Sequence, residues 1–267
     1  MGTLQTIILA LTQGITEFLP ISSSGHLILP AQLFGWTDQG LAFDVAVHIG
    51  TLVAVIAYFW RDILAIARAW LGSLVGKAVS FDSRLGWYLI FATLPAVVFG
   101  LALKKMGLDE AMRTVAVIAA TTLIFGALLG WADLKGKRIQ LLEQTSFKQA
   151  MLIGFAQALA LIPGTSRSGI TMTAALMMGF TRDAAARFSF LLSIPVILGA
   201  GSLLMLDLIK SNVPVDWQTL SLGALVSAVS AWLCVHYFLA FINRIGLMPF
   251  VIYRMVLGIV LLGFVFF

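Results

Sequence analysis

Six stretches of this chain run for about 20 residues each with little or no charge, the length an α-helix needs to cross the hydrocarbon core of a bilayer. They cover roughly 41–60, 85–103, 114–131, 188–208, 220–241 and 250–267. Inside lipid every backbone N–H and C=O must find a partner within the protein, so such segments have few options besides the helix. The rest of the composition leaves no room for a water-facing surface. Only 11% of residues are charged and 60% are hydrophobic, where a soluble domain carries about 25% charge. The net charge of +5 and pI of 9.6 then read as basic loops, not as a nucleic-acid surface. A single cysteine, Cys234, excludes an intramolecular disulfide. No Lys or Arg precedes the first apolar run, which speaks against a cleaved signal peptide.

Two further apolar stretches, about 3–30 and 147–180, are interrupted by Pro, Gly and Ser. Each is too short for two full spans. A pair of half-depth helices forming a re-entrant hairpin fits better than one distorted span, and broken helices at membrane depth persist where they line a wet cavity. The hairpins repeat each other at an offset of 144: Gln13 with Gln157, Ser22 with Ser166, Ser24 with Ser168, Gly25 with Gly169, while Ser23 faces Arg167. Each is followed by three spans. An odd number of spans turns the second copy upside down, which is the inverted-repeat plan with its binding site near the midplane. The expected fold is an all-α polytopic membrane protein: six spanning helices plus two re-entrant helical hairpins. It forms one domain, with halves at about 1–133 and 147–267.

Loop charge sets the orientation. One face receives Arg61, Arg68, Lys77, Arg84, Lys135, Lys137, Arg138, Lys148, Arg182, Arg187 and Arg244. The other receives Lys104, Lys105, Arg113 and Lys210. Eleven against four makes the first face cytoplasmic and puts both chain ends outside. Trp60, Tyr58, Trp87, Tyr88, Trp131 and Trp217 fall near span ends, as an interfacial aromatic belt would.

The two breaks carry the chemistry. Gln13 and Glu17 share a helical face at i and i+4. A carboxylate there needs a cation, a metal, or Arg167 from the other hairpin. Ser22, Ser23, Ser24 and Gly25 make a turn able to aim hydroxyls and backbone N–H groups at an anion, although serines there also serve as ordinary helix caps. His26 can move protons near neutral pH. In the second break, Gly164, Ser166, Arg167, Ser168 and Gly169 present a guanidinium whose fork matches phosphate oxygens, and Thr171 adds a hydroxyl on the same face. The set suits an anionic phosphate ligand. Elsewhere, Asp44 and His48 read as supporting or interfacial groups. Arg187, Asp207, His236 and Arg254 fall near predicted ends, where snorkelling is the default. Pro95 and Pro195 read as kinks. No GxxxxGK[ST], HExxH or GxSxG pattern occurs.

The stretch Gln13-Gly-x-Thr-Glu17-Phe-Leu-Pro-x-Ser-Ser-Ser-Gly-His26 and the stretch Pro163-Gly-x-Ser-Arg-Ser-Gly-x-Thr171 resemble the two motifs of the bacterial undecaprenyl-diphosphate phosphatase family linked with bacitracin resistance. The Phe43-Asp44 span and the closing Pro249-Phe250-x-Ile-Tyr-Arg254 segment extend the resemblance over nearly the whole chain. It implies hydrolysis of the terminal phosphate of a polyprenyl diphosphate in the bacterial cytoplasmic membrane, giving the monophosphate carrier for cell-wall synthesis. The site would open to the outer face, with a divalent cation, Mg²⁺ or Ca²⁺, held by Glu17 and more weakly by Gln13. The resemblance makes Glu17, Ser23, His26 and Arg167 catalytic: Arg167 clamps the diphosphate, and Ser23 attacks, or His26 acts as base or nucleophile. Ser22, Ser24, Gly25, Gly164, Ser166, Ser168, Gly169 and Thr171 would bind substrate. The competing class is a polyprenyl-phosphate flippase, which needs binding groups but no proton-transfer group. Glu17 with His26 favours the enzyme. Oligomeric state is left open, a homodimer included.

Overall fold

A computed structural model of the protein describes residues 2–36, 38–211 and 216–266, without the side chains of residues 24, 32–34, 109, 110 and 211. Among these residues every regular element is helical: α1 Thr3–Thr16, α2 Ser23–Phe34, α3 Gly40–Tyr58, α4 Trp60–Leu74, α5 Phe81–Met106, the short α6 Leu108–Ala111, α7 Val115–Lys135, α8 Phe147–Ala158, α9 Arg167–Met177, α10 Arg182–Ser211, α11 Trp217–Ile245 and α12 Met248–Phe266. Six of them, α3, α5, α7, α10, α11 and α12, are long and apolar enough to cross a membrane. They coincide with the six stretches expected. Large apolar side chains such as Val98, Ile124 and Ile259 stay exposed on their outer faces, as lipid-facing positions should.

Local chemistry sets the ends. Ser80 and Ser83 exchange backbone-to-hydroxyl hydrogen bonds to start α5, and Gly107 ends it in the left-handed region. Asp216 starts α11 by accepting the N–H groups of Gln218 and Thr219. That carboxyl, outside the span, is held below the usual carboxylate range, first by the Thr219 hydroxyl and then by its N–H. Pro95 and Pro195 lie inside continuous helices.

One element departs from expectation. The stretch from Arg61 to Arg84 reads as a polar loop between spans, yet its first part, from Trp60 to Leu74, forms the amphipathic α4. Its Ile63 and Ile66 pack against the core, while its polar groups stand out, the pattern of a helix lying along a membrane face.

The helices of the broken pairs pack against the long ones, α1 and α8 each keeping one exposed apolar face with Leu11, Ile15, Leu152 and Phe155. α1 packs on α11 and α8 packs on α5, so each half lends a long helix to the other half's broken pair. The α1–α11 approach is close: a Cβ on Gly14 would fall 1.9 Å from Ser230 Oγ. α9 is buried on nearly every side between α7, α8 and α10. Phe18, fully buried in the first break, meets Phe190 of α10 edge-on at 5.3 Å. At another corner Asp133, also fully buried, accepts Arg182 Nε and Nη2 at 2.6 and 2.9 Å and the Leu247 N–H at 3.2 Å. That pair fastens α7, α10 and the α11–α12 turn.

Candidate active site

Both broken pairs are built alike. α1 ends at Thr16, the chain turns through 17–21, and Ser22 adopts φ 76°, ψ 94° before α2 begins. α8 runs on through a single 3₁₀ turn, Leu159–Leu161, and Ser166 adopts φ 70°, ψ 112° before α9 begins. Positive φ is uncommon for a residue with a side chain, and such strain tends to sit at functional sites. Here it recurs at positions 144 apart. In each copy the strained serine uses its own hydroxyl to accept the N–H of a glycine three residues on, Gly25 at 3.4 Å and Gly169 at 3.1 Å. The strain therefore starts two helices, whose first residues are Ser23 and Arg167, with their positive ends at the breaks.

Those two residues meet on one carboxylate. Arg167 Nη2 donates to Glu17 Oε1 at 2.9 Å, across 150 positions of sequence. Ser23 Oγ donates to Glu17 Oε2 at 2.6 Å, and Gln13 Nε2 donates to the same oxygen at 3.0 Å. Gln13 and Glu17 are both buried. The hairpins thus converge on Glu17, and the hydroxyl of Ser23 has a base in contact. Ser168 Oγ ties the two breaks again by donating to the Leu19 carbonyl at 2.8 Å.

His26 is turned elsewhere. Its Nδ1 lies 2.7 Å from the Ser22 carbonyl and its Nε2 lies 2.6 Å from the Tyr253 hydroxyl on α12. Next along α12 is Arg254, for which snorkelling was the expectation. Instead it is fully buried. Its guanidinium donates to five backbone carbonyls: Pro20 of the first break, Gly164 and Thr165 of the second, and Thr121 and Thr122 of α7. A cation whose partners are carbonyls leaves no charge pattern in the sequence. The Tyr-Arg dipeptide in the closing motif was the only trace of it.

Several expected substrate contacts are occupied within the protein. Thr171 Oγ1 bonds the Arg167 and Ser168 carbonyls and the Ser189 hydroxyl of α10, so it braces α9. Ser22 and Ser166 act as caps. Gly164 sits where a Cβ would lie 2.2 Å from Thr121 Oγ1, which makes it a close-packing position against α7. The side chain of Ser24 lies outside the described residues. Asp44 accepts Gln39 Nε2 at 3.0 Å and its carbonyl accepts His48 Nδ1–H at 2.7 Å. Arg113 and His48 both lie within electrostatic reach of Asp44, and His48 within reach of Glu17.

A divalent cation can be tested against these atoms. Among the described residues no group of three His, Cys, Asp or Glu is gathered as a metal cage. Gln13 Oε1, however, is a buried oxygen with no hydrogen-bond partner, beside the single carboxylate of Glu17. One carboxylate and a neutral oxygen suit Mg²⁺, which commonly takes its remaining ligands from water and substrate phosphate. The donor set fits a cation that arrives with a diphosphate.

Six long apolar helices around two broken helix pairs, with a carboxylate, a hydroxyl and a guanidinium joined at the breaks, define a polytopic membrane protein with a polar centre. The chain belongs to the bacitracin resistance protein BacA family, whose profile matches residues 6–260. It is 60% identical over 266 residues to a protein of Alteromonas mediterranea named undecaprenyl-diphosphatase, covering all of both chains.

Proposed function

We propose that this chain is an integral membrane undecaprenyl-diphosphatase. It hydrolyses undecaprenyl diphosphate to undecaprenyl phosphate and inorganic phosphate, which renews the lipid carrier for cell-wall synthesis. The observation that carries the chemistry is the convergence of Ser23 Oγ and Arg167 Nη2 on the two oxygens of Glu17. Glu17 Oε2 accepts the Ser23 proton while Ser23 Oγ attacks the terminal phosphorus. The bond from that phosphorus to the bridging oxygen breaks, and the lipid monophosphate leaves. Water then hydrolyses the phosphoserine. The guanidinium of Arg167 and the positive ends of α2 and α9 stabilise the charge that builds on the phosphoryl oxygens. Glu17 and Gln13 Oε1 would hold the divalent cation. When bound, it neutralises diphosphate charge and so relieves repulsion against Glu17.

Phosphate release by purified protein in detergent tests this reading. A lipid carrier that only moves its cargo releases none. Arg167→Lys is expected to lower turnover about as far as Arg167→Ala, roughly 10²–10³-fold, since an ammonium lacks the planar fork. Near-normal turnover with lysine would show that charge alone suffices.

The proposed setting is the bacterial cytoplasmic membrane, with both chain ends and the mouth of the site on the outer face. Loop charge supports it. Single cysteines in a Cys234→Ala background should react with an impermeant thiol reagent on intact cells near residue 2. Cysteines placed within 136–146 should stay protected. The reverse pattern would invert the assignment.

A further inference from the structure

His26 is one of the expected catalytic residues, yet the proton of Ser23 already has an acceptor in Glu17. What the histidine touches instead defines its task. A carbonyl oxygen only accepts, so the 2.7 Å contact from Nδ1 to the Ser22 carbonyl places the ring proton on Nδ1. In the neutral ring Nε2 is then the lone-pair nitrogen, and the phenol of Tyr253 donates to it at 2.6 Å. The two rings lie nearly parallel, 13° apart, with centroids 5.6 Å from each other. Tyr253 does not reach this spot by chance of side-chain rotation. Its neighbour Arg254 bolts the same turn of α12 to Pro20, Gly164 and Thr165. One dipeptide therefore holds the backbone of both breaks and the working nitrogen of the histidine.

We infer that Tyr253 is a positioning residue for His26: it fixes the ring's rotation, selects the tautomer with the proton on Nδ1, and keeps Nε2 covered until substrate displaces the phenol. Once freed, that nitrogen is available to give or take a proton at the leaving lipid phosphate or the incoming water, the two positions that Glu17 does not serve. This assignment rests on the phosphatase reading above.

The test uses the full chain in detergent with Tyr253→Phe, which removes one oxygen and keeps the ring. Turnover should fall about tenfold, a fraction of what general acid–base groups contribute, while KM stays within about twofold of the parent. The double variant Tyr253→Phe/His26→Gln should be no slower than His26→Gln alone, because two groups acting as a unit are not additive. A second readout needs no turnover. The chain has three histidines, so ¹⁵N-histidine spectra, assigned by loss of the His26 signal in His26→Gln, report its tautomer directly. The parent should show a hydrogen-bonded lone pair at Nε2, and Tyr253→Phe should show that bond lost and a mixture of tautomers. Unchanged spectra, or kinetic losses that simply multiply in the double variant, would overturn the assignment. Absence of phosphate release by the parent, with the spectral change still present, would instead count against the phosphatase reading alone.

Discussion

Glu17→Gln is expected to abolish phosphate release, by roughly 10²–10⁴-fold in kcat, while the protein stays folded. Both oxygens of this carboxylate are engaged, by Arg167 at 2.9 Å and by Ser23 at 2.6 Å. An amide of the same shape still accepts a hydrogen bond from the serine but cannot take its proton. It also removes the anion that offsets Arg167, whose side chain is only 14% exposed, and it removes the charged ligand of the divalent cation. The measurements are helix content by circular dichroism, then phosphate release titrated with Mg²⁺ after chelation. A variant that turns over normally and keeps its metal response would take Glu17 out of the chemistry.

The second large effect is expected at Arg254. Arg254→Met keeps the apolar stem and deletes the guanidinium. Pro20, Gly164 and Thr165 lie in the breaks, outside regular helix, so their carbonyls lose these donors. A buried acceptor left unmet costs about 1–3 kcal/mol; Gly164 keeps the Thr122 hydroxyl at 3.4 Å, so Pro20 and Thr165 together make a loss of about 2 kcal/mol or more. Turnover should fall with it, by at least about 10²-fold, because both helix starts shift relative to Glu17. Arg254→Lys should recover only part of either loss, since an ammonium has three donors for five carbonyls. Thermal unfolding in detergent and phosphate release measure the two effects. A methionine variant that melts and turns over like the parent would mean the breaks hold themselves.

The legible part of this molecule was what hydropathy and local spacing control. Six apolar stretches became six long helices because nothing in a membrane competes with the helix for their backbone groups. The two breaks announced themselves through Pro, Gly and Ser, and the charge of Arg167 needed a partner that Glu17 supplies. The rest depended on distant contacts. α4 looked like a loop because its charged face dominates a linear reading, while Ile63 and Ile66 face the core. Arg254 looked peripheral from its place near the end of a span, and its true partners are carbonyls, which every residue has. Thr171 shares a face with Arg167 on paper, but its hydroxyl is spent on its own helix and on Ser189. The repeat was visible, and its two copies differ: the position equivalent to Glu17 is Leu161, and Gln157, the counterpart of Gln13, has neither amide atom partnered.

The contact of Gly14 with Ser230 bears on how the protein is made. The wall against which α1 rests is synthesised 216 residues after Gly14 (230 − 14). Until the ribosome has delivered α11, the helix carrying Gln13 and Glu17 faces lipid or the insertion machinery with its closest-packed side uncovered. α8 has no such wait, because α5 is already in place when it emerges. Assembly is therefore ordered: α8 docks on arrival, whereas α9 waits for α10 and α1 waits for α11.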